Sequence, residues 1–112
     1  MNRILTIEDP KPPGSEFLVE IDITKWLDGE NISDVVFSAK DMDTGKTVTS
    51  TVLNTSKNTF TNKIIKPFIR AGSSGARYCV TMQVTTSGTP AAVESWYLIF
   101  SIDDNIPEIG PI

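Results

Sequence analysis

The chain contains no histidine and only one cysteine among its 112 residues. Without histidine, neither a Ser-His nor a Cys-His nucleophile can be assembled, and a lone Cys79 cannot form a disulfide within the chain. The sequence also lacks an apolar run long enough for a signal peptide or a membrane span. These absences predict a protein that is not an enzyme, has no membrane partner and is made in the cytoplasm.

Positive charge is also scarce, with 10 Lys and Arg residues against 14 Asp and Glu residues and a formal net charge of −4. Because a phosphate-backbone binder needs clustered basic residues, and these are scattered, we expect no nucleic-acid partner. Asp41 and Asp43 resemble the start of a calcium loop, but the glycine of that loop arrives too early and its terminal Glu is missing. We therefore expect no metal and no other cofactor.

What the sequence does contain is a series of alternating apolar and polar stretches, which are typical of β-strands. The clearest cover residues 17–24, 32–40 and 78–85, and a further strand is expected at 47–53. Residues 59–70 contain Pro67, which cannot donate a ladder hydrogen bond, so an edge or broken strand is predicted there. Turn signals between strands, and the absence of a convincing helical stretch, predict an all-β fold.

A tyrosine and a glycine narrow the fold class further. Tyr78 begins the longest alternating strand just after Gly75, which is the position of the tyrosine corner in Greek-key sandwiches. We therefore predict an immunoglobulin-like Greek-key β-sandwich of about seven strands with an extended N-terminal arm. The residues expected in its core come from the inward rows of the alternating strands and are Val19, Ile21, Phe37, Tyr78, Val80, Val84, Leu98 and Phe100.

Three regions are predicted: an extended N-terminal arm at residues 1–16, the sandwich at 17–103 and an irregular C-terminal tail at 104–112. Prolines break the arm and the tail into segments too short to bury their apolar side chains locally. We therefore expect both segments to dock on neighbouring subunits. The residues assigned to this interface are Ile4, Leu5, Ile7, Ile106 and Ile109.

The last predicted strand, residues 93–102, is apolar on both faces. Trp96 and Tyr97 lie on opposite faces, so at most one of them can face the core. The other is expected beneath the arm or at an interface with another subunit, and both are candidate interface residues. We expect Trp26 to pack against one end of the core.

Four short segments carry a resemblance to a known class of protein: residues 22–32 (DITKWLDGENI), 71–75 (AGSSG), 78–80 (YCV) and 84–88 (VTTSG). With the proline-containing arm and the apolar last strand, the chain resembles small immunoglobulin-like structural proteins of tailed bacteriophages and prophages, across residues 17–103. The resemblance implies a non-enzymatic virion component of the head, neck or tail region. It carries over no binding residue.

We therefore hypothesise a phage or prophage virion protein that acts in assembly through protein-protein contacts. Its partners would be other virion proteins, with a homo-oligomer formed through the arm and the last strand as a further option. The alternative is a carbohydrate- or surface-binding β-sandwich module that uses an aromatic patch.

Overall fold

A computed structural model describes residues 3–103 of the chain, so Ile106, Ile109 and the rest of the predicted tail lie outside the described residues. The described part is predominantly β, which confirms the predicted all-β class. Its elements in chain order are β1 (Ile4–Thr6), β2 (Phe17–Leu18), β3 (Ile21–Asp22), α1 (Thr24–Leu27), β4 (Ile32–Asp41), α2 (Thr49–Val52), β5 (Thr59–Phe60), β6 (Ile64–Lys66), β7 (Phe68–Ile69), β8 (Arg77–Thr86) and β9 (Val93–Ser101).

The main sheet has four strands in the order β1-β9-β8-β4. Strand β8 pairs antiparallel with β4 on one side and with β9 on the other, and β1 pairs parallel with β9. The remaining strands form a β2-β7 pair and a β3-β6-β5 sheet. Buried side chains from the main sheet and from these shorter strands belong to one hydrophobic core.

Within residues 59–70, β5 and β6 form a hairpin, and Pro67 then separates β6 from β7, which is the broken strand predicted there. The Pro67 carbonyl accepts a hydrogen bond from the Val19 N–H at 3.0 Å, and Val19 lies between β2 and β3. The two short ladders are therefore interrupted at the same place. The strand predicted at residues 17–24 is correspondingly split in two.

The strand predicted at residues 47–53 is wrong. Thr47 and Leu53 each form an isolated bridge, to Lys40 and Ile69, and the helical turn α2 lies between them. Val52 and Leu53 are both fully buried. Because consecutive strand residues point to opposite faces, a regular strand could not place both side chains in one core, whereas the turn can.

Most of the predicted core residues are buried, but Val19 and Phe37 are only half-buried. Val19 lines a cavity between β1 and β3, and Phe37 lies at the free edge of β4. Both side chains therefore lie at the margin of the core, next to openings between the main sheet and the shorter strands, and remain partly exposed.

The predicted N-terminal arm is, in its first part, a strand of the chain's own main sheet. Ile4, Leu5 and Thr6 pair with Tyr97, Leu98 and Ile99 of β9. Leu5 and Ile7 pack against the core, whereas Ile4 is 53% exposed. These contacts differ from the expectation that the arm becomes ordered only on a neighbouring subunit.

Lys11 fixes the path of this segment beyond β1. Its backbone N–H donates to the Ser101 carbonyl at 2.8 Å, and its side chain is buried, with the residue only 4% exposed. The ammonium group donates to the carbonyls of Pro12 at 2.8 Å, Pro13 at 3.2 Å and Ala71 at 2.8 Å. Burial lowers the pKa of Lys11, and the negative charge of Glu16 opposes that shift.

The turn before β8 is closed by Tyr78. The Tyr78 hydroxyl accepts a hydrogen bond from the Ser73 N–H at 2.9 Å, and its ring lies 5.5 Å from that of Phe100. Gly75 has a φ of +84° and donates its N–H to the Ile102 carbonyl. A Cβ on Gly72 would come within 2.8 Å of Ile102, so Gly72 is the glycine that the tight packing at this turn requires.

Removal of the Tyr78 hydroxyl should separate its hydrogen bond from its packing. We expect Tyr78→Phe to lower the free energy of unfolding by about 1 kcal/mol. Tyr78→Ala should cost several times more because it also leaves a cavity. Chemical denaturation of both variants measures the difference. Unfolding of Tyr78→Ala at the wild-type midpoint would show that this contact does not stabilise the fold.

Replacement of Lys11 tests whether the N-terminal segment belongs to the fold. Lys11→Met keeps an unbranched side chain but removes the charged donor from three backbone carbonyls. We expect a loss of about 1.5–3 kcal/mol in the free energy of unfolding, the range for hydrogen bonds to a charged group. Lys46→Met, at an exposed turn position, is the control and should be neutral. Equal stability of the two variants would contradict the structural role of Lys11.

Candidate interaction surfaces

The outer face of the main sheet carries an apolar row that faces away from the core. The sheet register aligns Ile4 with Tyr97, and Thr6 with Ile99 and then Cys79. We call Ile4, Tyr97, Ile99 and Cys79 the outer ridge. Strand β1 is hydrogen-bonded to the edge of β9 and lies in the same sheet, so it does not cover the outer face. The same holds for β8, the other strand within residues 3–103 that pairs with β9.

Two further apolar side chains lie on the same face. Val93 begins β9 and is 56% exposed, and Val36 on β4 is 55% exposed. The positions between them and the ridge are polar, including Gln83 and Thr85 of β8. The outer face is therefore a broad polar surface with apolar residues concentrated on β9 and β1.

The tryptophans occupy the other side of β9. Trp96 is 1% exposed, and its ring meets that of Trp26 at a centroid distance of 4.7 Å in an edge-on arrangement. Trp96 is therefore a core residue, unlike its assignment as a candidate interface residue. Tyr97 is half-buried on the outer ridge. Of the two adjacent aromatic residues, Tyr97 is the one available to a partner.

Cys79 lies in the outer ridge but has little thiolate character. Burial raises the pKa of its thiol, and a hydrogen bond with Thr81 opposes this shift only in part. A thiol must be deprotonated to act as a nucleophile or a metal ligand. Cys79 therefore contributes a small apolar surface to the ridge.

Asp41 and Asp43, the two carboxylates considered for a metal site, lie in the turn after β4, which the Asp41 side chain stabilises. The Asp41 carboxylate accepts N–H groups of Asp43 at 2.8 Å and Thr44 at 3.2 Å, while Asp43 is exposed. In the part of the chain that the structure describes, no cluster of three or more Asp, Glu or Cys side chains could hold a metal ion. Neither helical turn within residues 3–103 has the length needed to cross a membrane.

The free edge of β4 forms a second candidate surface, which the sequence did not reveal. Near its end, Ala39 points away from β8, because its N–H donates to Thr49 Oγ1 at 3.1 Å and its carbonyl accepts from the Val48 N–H at 2.8 Å. Near its start, the Ile32 N–H donates to the Asn62 carbonyl at 2.8 Å. Both ends of this edge are therefore covered by other parts of the chain.

Between these covered ends, a groove of about 420 Å³ runs along β4. One wall is residues 34–37 of β4, and the other is formed by Thr55 and residues 58–60. Phe37 and Phe60 supply its apolar part, and both are half-buried. The groove is therefore a shallow cleft between the β4 edge and β5.

Comparison with known protein families gives a match to the family described as "Podophage GP4 fiber-tail adaptor protein gp77", over residues 11–97. Comparisons with curated proteins and with solved structures gave no match. The matched range contains β2 to β8 and more than half of β9, which includes Tyr97 and Cys79 of the outer ridge and the whole β4 edge. The chain therefore belongs to the podophage fiber-tail adaptor gp77 family and is a tailed-phage structural protein.

Proposed function

We propose that this protein is a non-enzymatic adaptor of the virion that joins a tail fibre to the tail through protein-protein contacts. The observation that carries the proposal is the family match across residues 11–97. Its assembly would place it in the virion after synthesis in the host cytoplasm. We further propose that its strands form an immunoglobulin-like Greek-key sandwich, for which the Tyr78 contact to upstream backbone is the main support.

The outer ridge is the proposed contact surface for a folded partner. The aromatic Tyr97 and the aliphatic Ile99 lie on a face of the sheet that is otherwise mainly polar. Ile4 extends this apolar surface to the edge strand β1. Interfaces of stable complexes combine a few such anchors with a polar rim. Another copy of this chain would meet the same ridge if the protein forms a homo-oligomer.

The alternative function as a carbohydrate-binding module finds no support in the tryptophans. Sugar recognition requires an aromatic ring whose face is open to the ligand. Trp96 is buried, and the Trp26 ring is packed against it.

A lysine in the outer ridge should disrupt the proposed contact without unfolding the protein. We expect Tyr97→Lys to weaken binding to the purified tail protein of the same phage by at least about tenfold, since loss of an aromatic hot-spot residue costs about 2 kcal/mol or more. Surface plasmon resonance measures the affinity, and circular dichroism checks the fold.

Asn62→Lys introduces the same charge at an exposed turn away from the ridge and is the matched control. Unchanged binding of Tyr97→Lys would contradict the ridge as the contact surface. A wild-type protein that binds neither the tail protein nor the fibre protein of its phage would contradict the adaptor function itself.

A further inference from the structure

We infer that the outer face of the main sheet binds the same face of a second copy of this chain, in a two-fold symmetric dimer. The outer face consists of the side chains of the main sheet that point away from the core, and the outer ridge forms part of it. This inference concerns the protein alone and does not depend on the proposed adaptor function. It rests on how charge, apolar character and side-chain size are distributed along the strands.

One row of residues marks the centre of this face. The register aligns Phe37 of β4 with Met82 of β8, and Met82 with Trp96 of β9. A two-fold axis that lies between two facing sheets and follows this row places each strand opposite its own counterpart, running in the opposite direction. A residue three places before the row then faces the residue three places after it in the other copy.

The charges of β4 are complementary under this symmetry. Asp34 lies three places before Phe37 and Lys40 three places after it, and both are exposed. Both belong to the outer face, because their neighbours Val35 and Ala39 are buried and successive strand side chains alternate. Neither charge forms an ion pair within residues 3–103. In the dimer, each Asp34 lies opposite Lys40 of the other copy, which gives two pairs of opposite charge.

The apolar residues of β9 match under the same axis, although they were not used to place it. Val93 lies three places before Trp96 and is 56% exposed, and Ile99 lies three places after Trp96. Each Val93 therefore faces Ile99 of the other copy, and the dimer removes both from water. A two-fold axis along β8 would instead set Lys40 opposite Ile99 and leave the lysine without a partner.

Large side chains also lie opposite small ones in this arrangement. Val36, which is 55% exposed, faces Ser38 of the other copy, and Tyr97 faces Ser95. Facing layers interdigitate when large and small residues alternate across them. Packed sheets cross at about 30°, which displaces the ends of β4 sideways. The long, flexible side chain of Lys40 can span that displacement.

The extent of the face indicates a weak dimer. Strands β4, β8 and β9 lie about 4.8 Å apart and are each about 30 Å long, so with the short β1 they give a face of roughly 500 Å². The roughly 1,000 Å² from two copies is at the lower limit for a specific interface. Because the dimer covers Tyr97 and Ile99, it and the proposed tail contact exclude each other, and a weak dimer allows the tail to displace the second copy.

Sedimentation velocity of the full-length chain alone, over a range of concentrations at low salt, tests the dimer. We expect a reversible monomer-dimer equilibrium in the wild type. Asp34→Lys and Lys40→Asp should each weaken it by at least about tenfold, because each substitution brings like charges together at two positions. Lys25→Asp, at an exposed position of α1 away from the outer face, is the matched control and should dimerise like the wild type.

A mixture of the two β4 variants tests the symmetry itself. Asp34→Lys and Lys40→Asp should form a mixed dimer with about wild-type affinity, since a β4 with two lysines then faces a β4 with two aspartates. This recovery would also show that both variants are folded. A wild type that stays monomeric up to about 1 mM, or a mixture that associates no more than its separate components, would overturn the inference. Either result leaves the adaptor function standing, because that function is tested with the tail and fibre proteins.

Discussion

The pairing of β8 with both of its neighbours is the interaction on which the rest of the structure depends. Val80, Met82 and Val84 on its inner face are fully buried. Since both edges of β8 are occupied, by β4 and β9, this row cannot shift toward solvent without breaking two ladders at once. The same pairing fixes the outer row, so the position of Tyr97 next to Ile4 is a consequence of how the core is filled.

The sequence predicted the long strands well because each carries a full alternating pattern. Residues 32–40, 78–85 and 93–102 correspond closely to β4, β8 and β9. Short elements were harder, since two or three residues cannot establish a period. The turn α2 was taken for a strand because Thr49 and Val52 favour strands, and tertiary burial of Val52 and Leu53 overrode that preference. Ile4–Thr6 was taken for part of an arm because its pairing with β9 is entirely non-local.

The two candidate surfaces also differed in how far the sequence could predict them. The double apolar character of β9 indicated that Tyr97 or Trp96 faces outward, and the structure selects Tyr97. The β4 edge carries no sequence signal, because its backbone directions depend on an irregularity between Ile32 and Asp34 and on where Val48 and Asn62 lie. Backbone groups have no side-chain identity from which an edge can be recognised.

An open strand edge exposes unpaired donors and acceptors, and proteins usually protect such edges against uncontrolled pairing with other chains. Here the protection is incomplete in a particular place. Asn62 bonds to Ile32, and Val48 and Thr49 bond to Ala39, so the unpaired stretch is limited to the region of Val35 and Phe37. Any chain that paired with this edge could gain hydrogen bonds at these two residues only. That limit disfavours propagation of a sheet from copy to copy.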